Sequence, residues 1–117
     1  MKNSVSLMGY LGSDVQLFTL STGRKVAKTR LATNEYFKTK SGERSQHTEW
    51  HNLTAWGPLA ERMEKQLAKG VQVVIEGKLV HRSYEDKSGN TRYQSEIVVS
   101  SFLTPKSSND DTAVSEE

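Results

Sequence analysis

The chain has 117 residues, of which 34% are hydrophobic, and it contains no cysteine. This length suits one domain with a modest core, and the lack of thiols excludes disulfides, thiolate zinc sites and a cysteine nucleophile. Residues 1–105 carry 15 Lys and Arg against 10 Asp and Glu, whereas residues 106–117 carry one Lys against four acids. We therefore predict a basic folded domain over 1–105 and a short, disordered acidic tail over 106–117. A basic body with an acidic tail suits a polyanionic partner, although a solvated surface explains the charge equally well.

Membrane insertion and secretion are not indicated. No run approaches the roughly 18 to 20 consecutive apolar residues of a membrane span. The N-terminal residues MKNSVSLMGYLGSDVQ lack the apolar region and the cleavage site of a signal peptide. We therefore expect a cytoplasmic protein.

The first third of the chain alternates with the period of two that is typical of strands. Val5 and Leu7 alternate with serines and precede Gly9 and Gly12, which suit a bend in a curved strand. A short segment over 16–20 follows. Residues 25–33 then predict a half-buried strand with a cationic outer face, since one side reads Ala27, Thr29, Leu31 and the other reads Val26, Lys28, Arg30.

Residues 37–47 contain no aliphatic residue, so we predict an exposed loop there. The stretch TEWHNLTAWG over 48–57 then holds both tryptophans of the chain. In a strand, side chains two apart point the same way. One face therefore carries Trp50 and Trp56 with Asn52 and Thr54 between them, and the other carries Glu49, His51, Leu53, Ala55.

A helix is predicted over Pro58 to Lys69. Proline suits the first helical position, and an apolar stripe recurs every four residues at Leu59, Met63 and Leu67. Gly70 is the expected C-terminal cap. A long strand over 71–84, a turn over 86–90 and a returning strand over 91–103 complete the folded part, with these side chains expected inward: Val71, Val73, Ile75, Leu79.

This order of elements predicts an all-β, mainly antiparallel fold. Five curved strands with one helix between strands 3 and 4 describe the OB-fold, a five-stranded Greek-key barrel.

Catalytic and metal-binding groups are not evident in the sequence. The histidines His47, His51 and His81 have no metal-binding spacing, and there is no P-loop or GxGxxG. His51 fits a packed or interface histidine better than a catalytic base. We therefore expect no enzyme activity, no metal and no cofactor.

The aromatic residues are more informative than the acids. Phe37 opens the basic 37–47 stretch, Tyr84 shares strand parity with Lys78 and Arg82, and Trp50 and Trp56 share one face. Each ring alone is explained by packing. Four rings near cations indicate a stacking surface for unpaired bases, with Arg30, Lys38 and Lys78 among the cations placed to follow the phosphates.

Several segments together resemble the bacterial single-stranded DNA-binding protein (SSB) family. They are LATNEYF, TEWHNLTAWGPLAE, KGVQVVIEGKL and RSYEDKSGNTRYQSEIVV, and the similarity extends from about Ser4 to Phe102. The resemblance implies an OB-fold that assembles into a homotetramer and binds single-stranded DNA without strong sequence preference. It also implies stacking by Phe37, Trp50, Trp56 and Tyr84, phosphate contacts by Lys69 and Arg82, and a place near a subunit interface for His51.

Three features depart from the family pattern. Pro58 and Asn52 stand where many members carry a cation, which predicts weaker contact with the backbone there. The tail ends AVSEE rather than in an acidic Pro-Phe tip, so we expect weakened recruitment of replication and repair proteins.

The resulting hypothesis is a non-catalytic, nucleoid-associated protein that coats and protects single-stranded DNA during replication, recombination and repair. The alternative is an OB-fold primosomal adaptor or RNA-binding chaperone that acts mainly through protein contacts.

Overall fold

The computed structural model describes residues 3–105; the tail at 106–117 lies outside the described residues. This part of the chain forms six strands and one helix. Their bounds are β1 Val5–Leu11, β2 Gln16–Thr19, β3 Lys25–Lys38, β4 Arg44–Trp56, α1 Pro58–Gln66, β5 Gln72–Glu85 and β6 Thr91–Leu103.

Five of the six strands close into a barrel. The sheet order is β1-β5-β6-β4-β3-β2, and β1 also pairs with β3, which joins the two sides. The short strand β2 only extends the sheet beyond β3. All pairings are antiparallel except a short parallel contact between β4 and β6. The helix follows the third barrel strand and precedes the fourth, so the predicted OB-fold barrel is confirmed.

Closure of the barrel depends on a close approach between β1 and β3. Tyr10 pairs with Ala32 at this point, and a Cβ placed on Gly9 would overlap the carbonyl oxygen of Ala32. Glycine therefore allows the two backbones to meet where any side chain would separate them.

The barrel core consists of the inward side chains that strand alternation predicts. Leu31, Leu53, Val73 and Ile75 are fully or almost fully buried. The buried hydroxyl of Thr29 donates a hydrogen bond to the carbonyl oxygen of Ser13 at 3.0 Å, which satisfies a polar group that would otherwise be costly to bury.

The predicted 37–47 loop is wrong in its extent. Strands β3 and β4 pair continuously from Val26 with Trp56 to Lys38 with Arg44, so only residues 39–43 form the turn. Gly42 has a φ of 87° in that turn, a conformation that glycine adopts without strain. The segment is polar because both faces of the hairpin project beyond the barrel.

Two further expectations need correction. Leu79 pairs with the buried Ile97 but is itself 39% exposed, because alternation does not reveal where a strand leaves the barrel. The helix ends at Gln66, since Leu67 is already extended. Gly70 is therefore no helix cap; its N–H donates instead to the Leu11 carbonyl oxygen at 2.9 Å.

Candidate nucleic-acid interface

The outward side chains of β3, β4, β5 and β6 form one continuous surface, here called the outer face. Cross-strand partners share a face, and the register pairs Arg30 with Asn52, Lys78 with Val98 and Arg82 with Gln94. Strand alternation adds the neighbours two residues away. The outer face therefore brings together these predicted site residues: Arg30, Trp50, Trp56, Lys78, Arg82, Tyr84.

Trp50 is held in place from two directions. The guanidinium of Arg30 lies 4.6 Å from the centroid of its ring, a cation–π arrangement. A Cβ added to Gly12 would overlap the same ring, so the ring packs against the backbone at Gly12. Trp50 nevertheless remains 50% exposed. It is an oriented aromatic surface with access to solvent.

Trp56 is more deeply set than Trp50. It pairs with the buried Val26 at the end of β4. The guanidinium of Arg24 lies 4.3 Å from the centroid of the Trp56 ring. Arg24 was not singled out in the sequence because it precedes the strand, and only the fold brings it over the ring.

Tyr84 lies near the tip of the β5–β6 hairpin and pairs with Arg92. Asp86 accepts a hydrogen bond from Arg92 Nε at 2.8 Å and others from the backbone N–H groups of Ser88 and Asn90. These donors, the Arg92 guanidinium first, hold the pKa of Asp86 below its ordinary value. Asp86 thus anchors Arg92 beside Tyr84 and makes Arg92 a further candidate contact.

Phe37 is not on the outer face. It pairs with Ser45. Ser45 and Trp50 are an odd number of residues apart on β4, so their side chains point to opposite sides of the hairpin. The exposed Tyr36 is in phase, since it pairs with Gln46 on the same side as Trp50. Sequence reasoning missed Tyr36, although counting alternate residues back from the paired Trp50 would have found it.

The predicted cations differ in their surroundings. Arg82 forms an ion pair with Glu96, with Nε and Oε2 3.0 Å apart. Lys38 pairs with Arg44 at the far end of the β3–β4 hairpin. The backbone N–H of Lys69 donates to Asp14 at 2.9 Å, which ties Lys69 to the segment that contains Gly12.

The histidines lie on the opposite side of these strands. His51 follows the inward parity of Leu53, and its Nε2 is 2.9 Å from the Thr33 hydroxyl. Nδ1 of His81 is 2.7 Å from the Ser95 hydroxyl, and Nε2 of His47 is 2.5 Å from the Glu49 carboxylate. Within residues 3–105 no group of three or more His, Cys, Asp or Glu is placed to hold a metal ion.

Among residues 3–105, no helix is long and apolar enough to cross a bilayer.

The closed five-stranded barrel and its outer face define an OB-fold protein with exposed aromatic rings set among cations. Residues 2–104 match the model of the single-strand binding protein family. The chain therefore belongs to that family.

Two similar proteins illustrate this membership. Single-stranded DNA-binding protein 1 of Chlorobaculum tepidum is 45% identical over 97 residues, which cover 82% of this chain and 60% of that protein. This chain thus spans less than two thirds of that relative's length. A solved complex of the Plasmodium falciparum SSB with ssDNA has a TM-score of 0.81 and 26% identity, covering 91% of this chain and 96% of the other.

Proposed function

We propose that this protein binds single-stranded DNA without strong sequence preference and coats exposed strands during replication, recombination and repair. The observation that carries the proposal is the outer face, where Trp50, Trp56 and Tyr84 lie among Arg30, Lys78 and Arg82. Membership of the single-strand binding protein family supports it.

The chemistry of such a face selects unpaired strands. Each base that stacks on an aromatic ring contributes roughly 1–3 kcal/mol to the binding free energy. Every base offers a π-face, so this contact does not depend on the base sequence. A duplex hides these faces within its own stack. Cations between the rings neutralise phosphates and release counterions, which makes the affinity depend on salt.

The predicted site residues take two roles in this proposal. Trp50, Trp56 and Tyr84 stack bases, and these cations contact phosphates: Arg30, Lys38, Lys69, Lys78, Arg82. Phe37 also stacks a base, and because it lies on the other side of the β3–β4 hairpin, the strand must pass around the edge of that hairpin to reach it.

We further propose that the chain assembles into a homotetramer with His51 near a subunit interface. The support is an apolar surface on β1, where Met8 and Tyr10 are exposed on alternate positions. Water-exposed side chains of this kind often mark contacts between subunits. The measured mass in solution tests this proposal.

In the cell we propose a non-catalytic role in the cytoplasm, associated with the nucleoid. Residues 1–105 would serve as the DNA-binding domain and residues 106–117 as an acidic tail.

Fluorescence titration with oligo-dT of increasing length tests the function directly. Both tryptophans lie on the proposed binding face, so bound bases should quench their emission. Unchanged emission at saturating oligo-dT would overturn the stacking arrangement. Competition among single-stranded DNA, RNA and duplex DNA then tests the ligand, and a preference for RNA or a stable dimer would favour the adaptor or chaperone alternative.

A further inference from the structure

An apolar row of side chains crosses the sheet on its outward side and ends on β2, a strand that is not part of the outer face defined above. Phe18 on β2 pairs with Val26 on β3, and Val26 pairs with Trp56 on β4. Cross-strand partners share a face, so Phe18 and Trp56 point to the same side. Leu17 and Ala27 point the other way, since they pack in or against the barrel core. We call Phe18, Val26 and Trp56 the β2 row.

The burial of Val26 shows that the β2 row is a packed surface. Only 3% of Val26 is exposed, although strand alternation points its side chain away from the barrel. Within residues 3–105 it is not among the side chains that build the barrel core. Its cover therefore comes from the outward side, where its neighbours are Phe18 and Trp56. Phe18 itself remains 46% exposed, so its ring is oriented by packing and still open to a ligand.

Cations lie on both sides of the β2 row. Arg24 precedes it in the β2–β3 turn and places its guanidinium over the Trp56 ring. Lys28 follows it on β3 and is exposed, with Gln16 of β2 as one of its cross-strand partners. An exposed ring flanked by cations repeats the chemistry of Trp50 beside Arg30. The row is thus complementary to a polyanion that carries aromatic bases.

We propose that a single strand bound to the outer face continues past Trp56 onto β2, and that Phe18 stacks a base there. The inference rests on the proposed binding of single-stranded DNA. Two strand spacings, about 10 Å, separate Phe18 from Trp56. Stacked nucleotides are about 3.4 Å apart, so a few nucleotides of one strand bridge the two rings. Stacking uses only the π-face of a base, so Phe18 enlarges the site without selecting a sequence.

Two substitutions at Phe18 separate stacking from packing. Phe18→Tyr keeps the flat ring, whereas Phe18→Leu keeps an apolar cover over Val26 and loses the π-face. We expect Phe18→Leu to weaken oligo-dT binding about fivefold or more, the loss of one stacked base, and Phe18→Tyr to bind with nearly wild-type affinity. Thermal unfolding followed by circular dichroism checks the fold of both. Wild-type affinity in Phe18→Leu, or an equal loss in the two variants, would overturn the proposal.

A fluorescent reporter locates the DNA independently of affinity. In a background with Trp50→Phe and Trp56→Phe, the substitution Phe18→Trp leaves a single tryptophan on β2. Saturating oligo-dT should quench its emission. The matched control is Tyr93→Trp in the same background, because Tyr93 is exposed on the other side of the β5–β6 hairpin. Quenching should be smaller in the control, and quenching at position 18 that does not exceed it would overturn the proposal.

A second copy of this chain is the competing occupant of the β2 row. In that case Phe18→Leu would lower the mass in solution and leave the oligo-dT affinity unchanged, which would overturn the proposal. An unchanged mass with weaker binding supports it. If the wild-type protein did not bind oligo-dT, the proposed function itself would fail. Wild-type binding that Phe18→Leu leaves unchanged would remove only Phe18 from the site.

Discussion

The guanidinium of Arg30 lies 4.6 Å from the centre of the Trp50 ring, although 19 other residues separate them in sequence. The pairing of β3 with β4 creates this contact, since Arg30 is opposite Asn52 and Trp50 is opposite Ala32. The same cation is thus placed to orient a stacking ring and to meet a phosphate.

The tryptophans should contribute to binding more than to folding. We expect Trp50→Ala to weaken binding to oligo-dT by about 1–3 kcal/mol, the range for one stacked base, and Trp56→Ala to act in the same direction. Isothermal titration calorimetry measures the affinity, and circular dichroism during thermal unfolding checks the fold. Because Trp50 is half exposed, the fold should tolerate its loss. A Trp50→Ala variant that binds oligo-dT with wild-type affinity would show that Trp50 does not contact the DNA.

Tyr84 and Tyr93 provide a matched pair on one hairpin. Both are exposed, but Tyr84 is on the outer face and Tyr93, opposite Ser83, is on the other side. We expect Tyr84→Ala to weaken oligo-dT binding by about 1–3 kcal/mol and Tyr93→Ala to have a smaller effect. Fluorescence titration measures both, and equal losses would contradict the assignment of faces.

Gly12 should matter through the ring that it supports. In Gly12→Ala the new methyl group would overlap the Trp50 ring and displace it from Arg30. We expect weaker oligo-dT binding and an altered tryptophan emission spectrum in the free protein. The control is a double-mutant cycle: in the Trp50→Ala background, Gly12→Ala should cost no further affinity. If Gly12→Ala weakened binding as much in the Trp50→Ala background as in the wild type, Gly12 would act through a group other than Trp50.

The salt dependence should report each phosphate contact separately. For single strands the slope of log K against log salt changes by about 0.7 per phosphate neutralised. We expect Lys78→Gln on the outer face to reduce the slope by about that amount. Lys65→Gln in the helix removes the same charge away from this face and should leave the slope unchanged.

The β5–β6 hairpin tip should respond to acid. Hydrogen bonds from Arg92 and from the backbone amides of residues 88–90 lower the pKa of Asp86. The stabilisation is therefore present above the ordinary aspartate pKa and is lost as the pH falls through the lower, folded value. An NMR titration of the Asp86 carboxyl carbon should give a midpoint below 3.8. In Arg92→Gln the midpoint should rise towards that value, and an unmoved midpoint would exclude Arg92 as the main cause.

Strand alternation, the helix stripe and the grouping of Trp50, Trp56 and Tyr84 with cations could all be predicted from the sequence. These features depend on residues close together in the chain, whose spacing decides which side chains share a face. The order of these elements, with one helix between strands 3 and 4, extended the prediction to the OB-fold barrel.

Only the tertiary structure decided the features that depend on distant strands. The register of β3 with β4 put Phe37 out of phase with Trp50 and lengthened the hairpin at the expense of the predicted loop. The pairing of β5 with β6 buried Glu96 beside Arg82, and closure by β1 set Gly12 against Trp50. Spacing along one strand cannot reveal these contacts, because each depends on which residue of a remote strand becomes its neighbour.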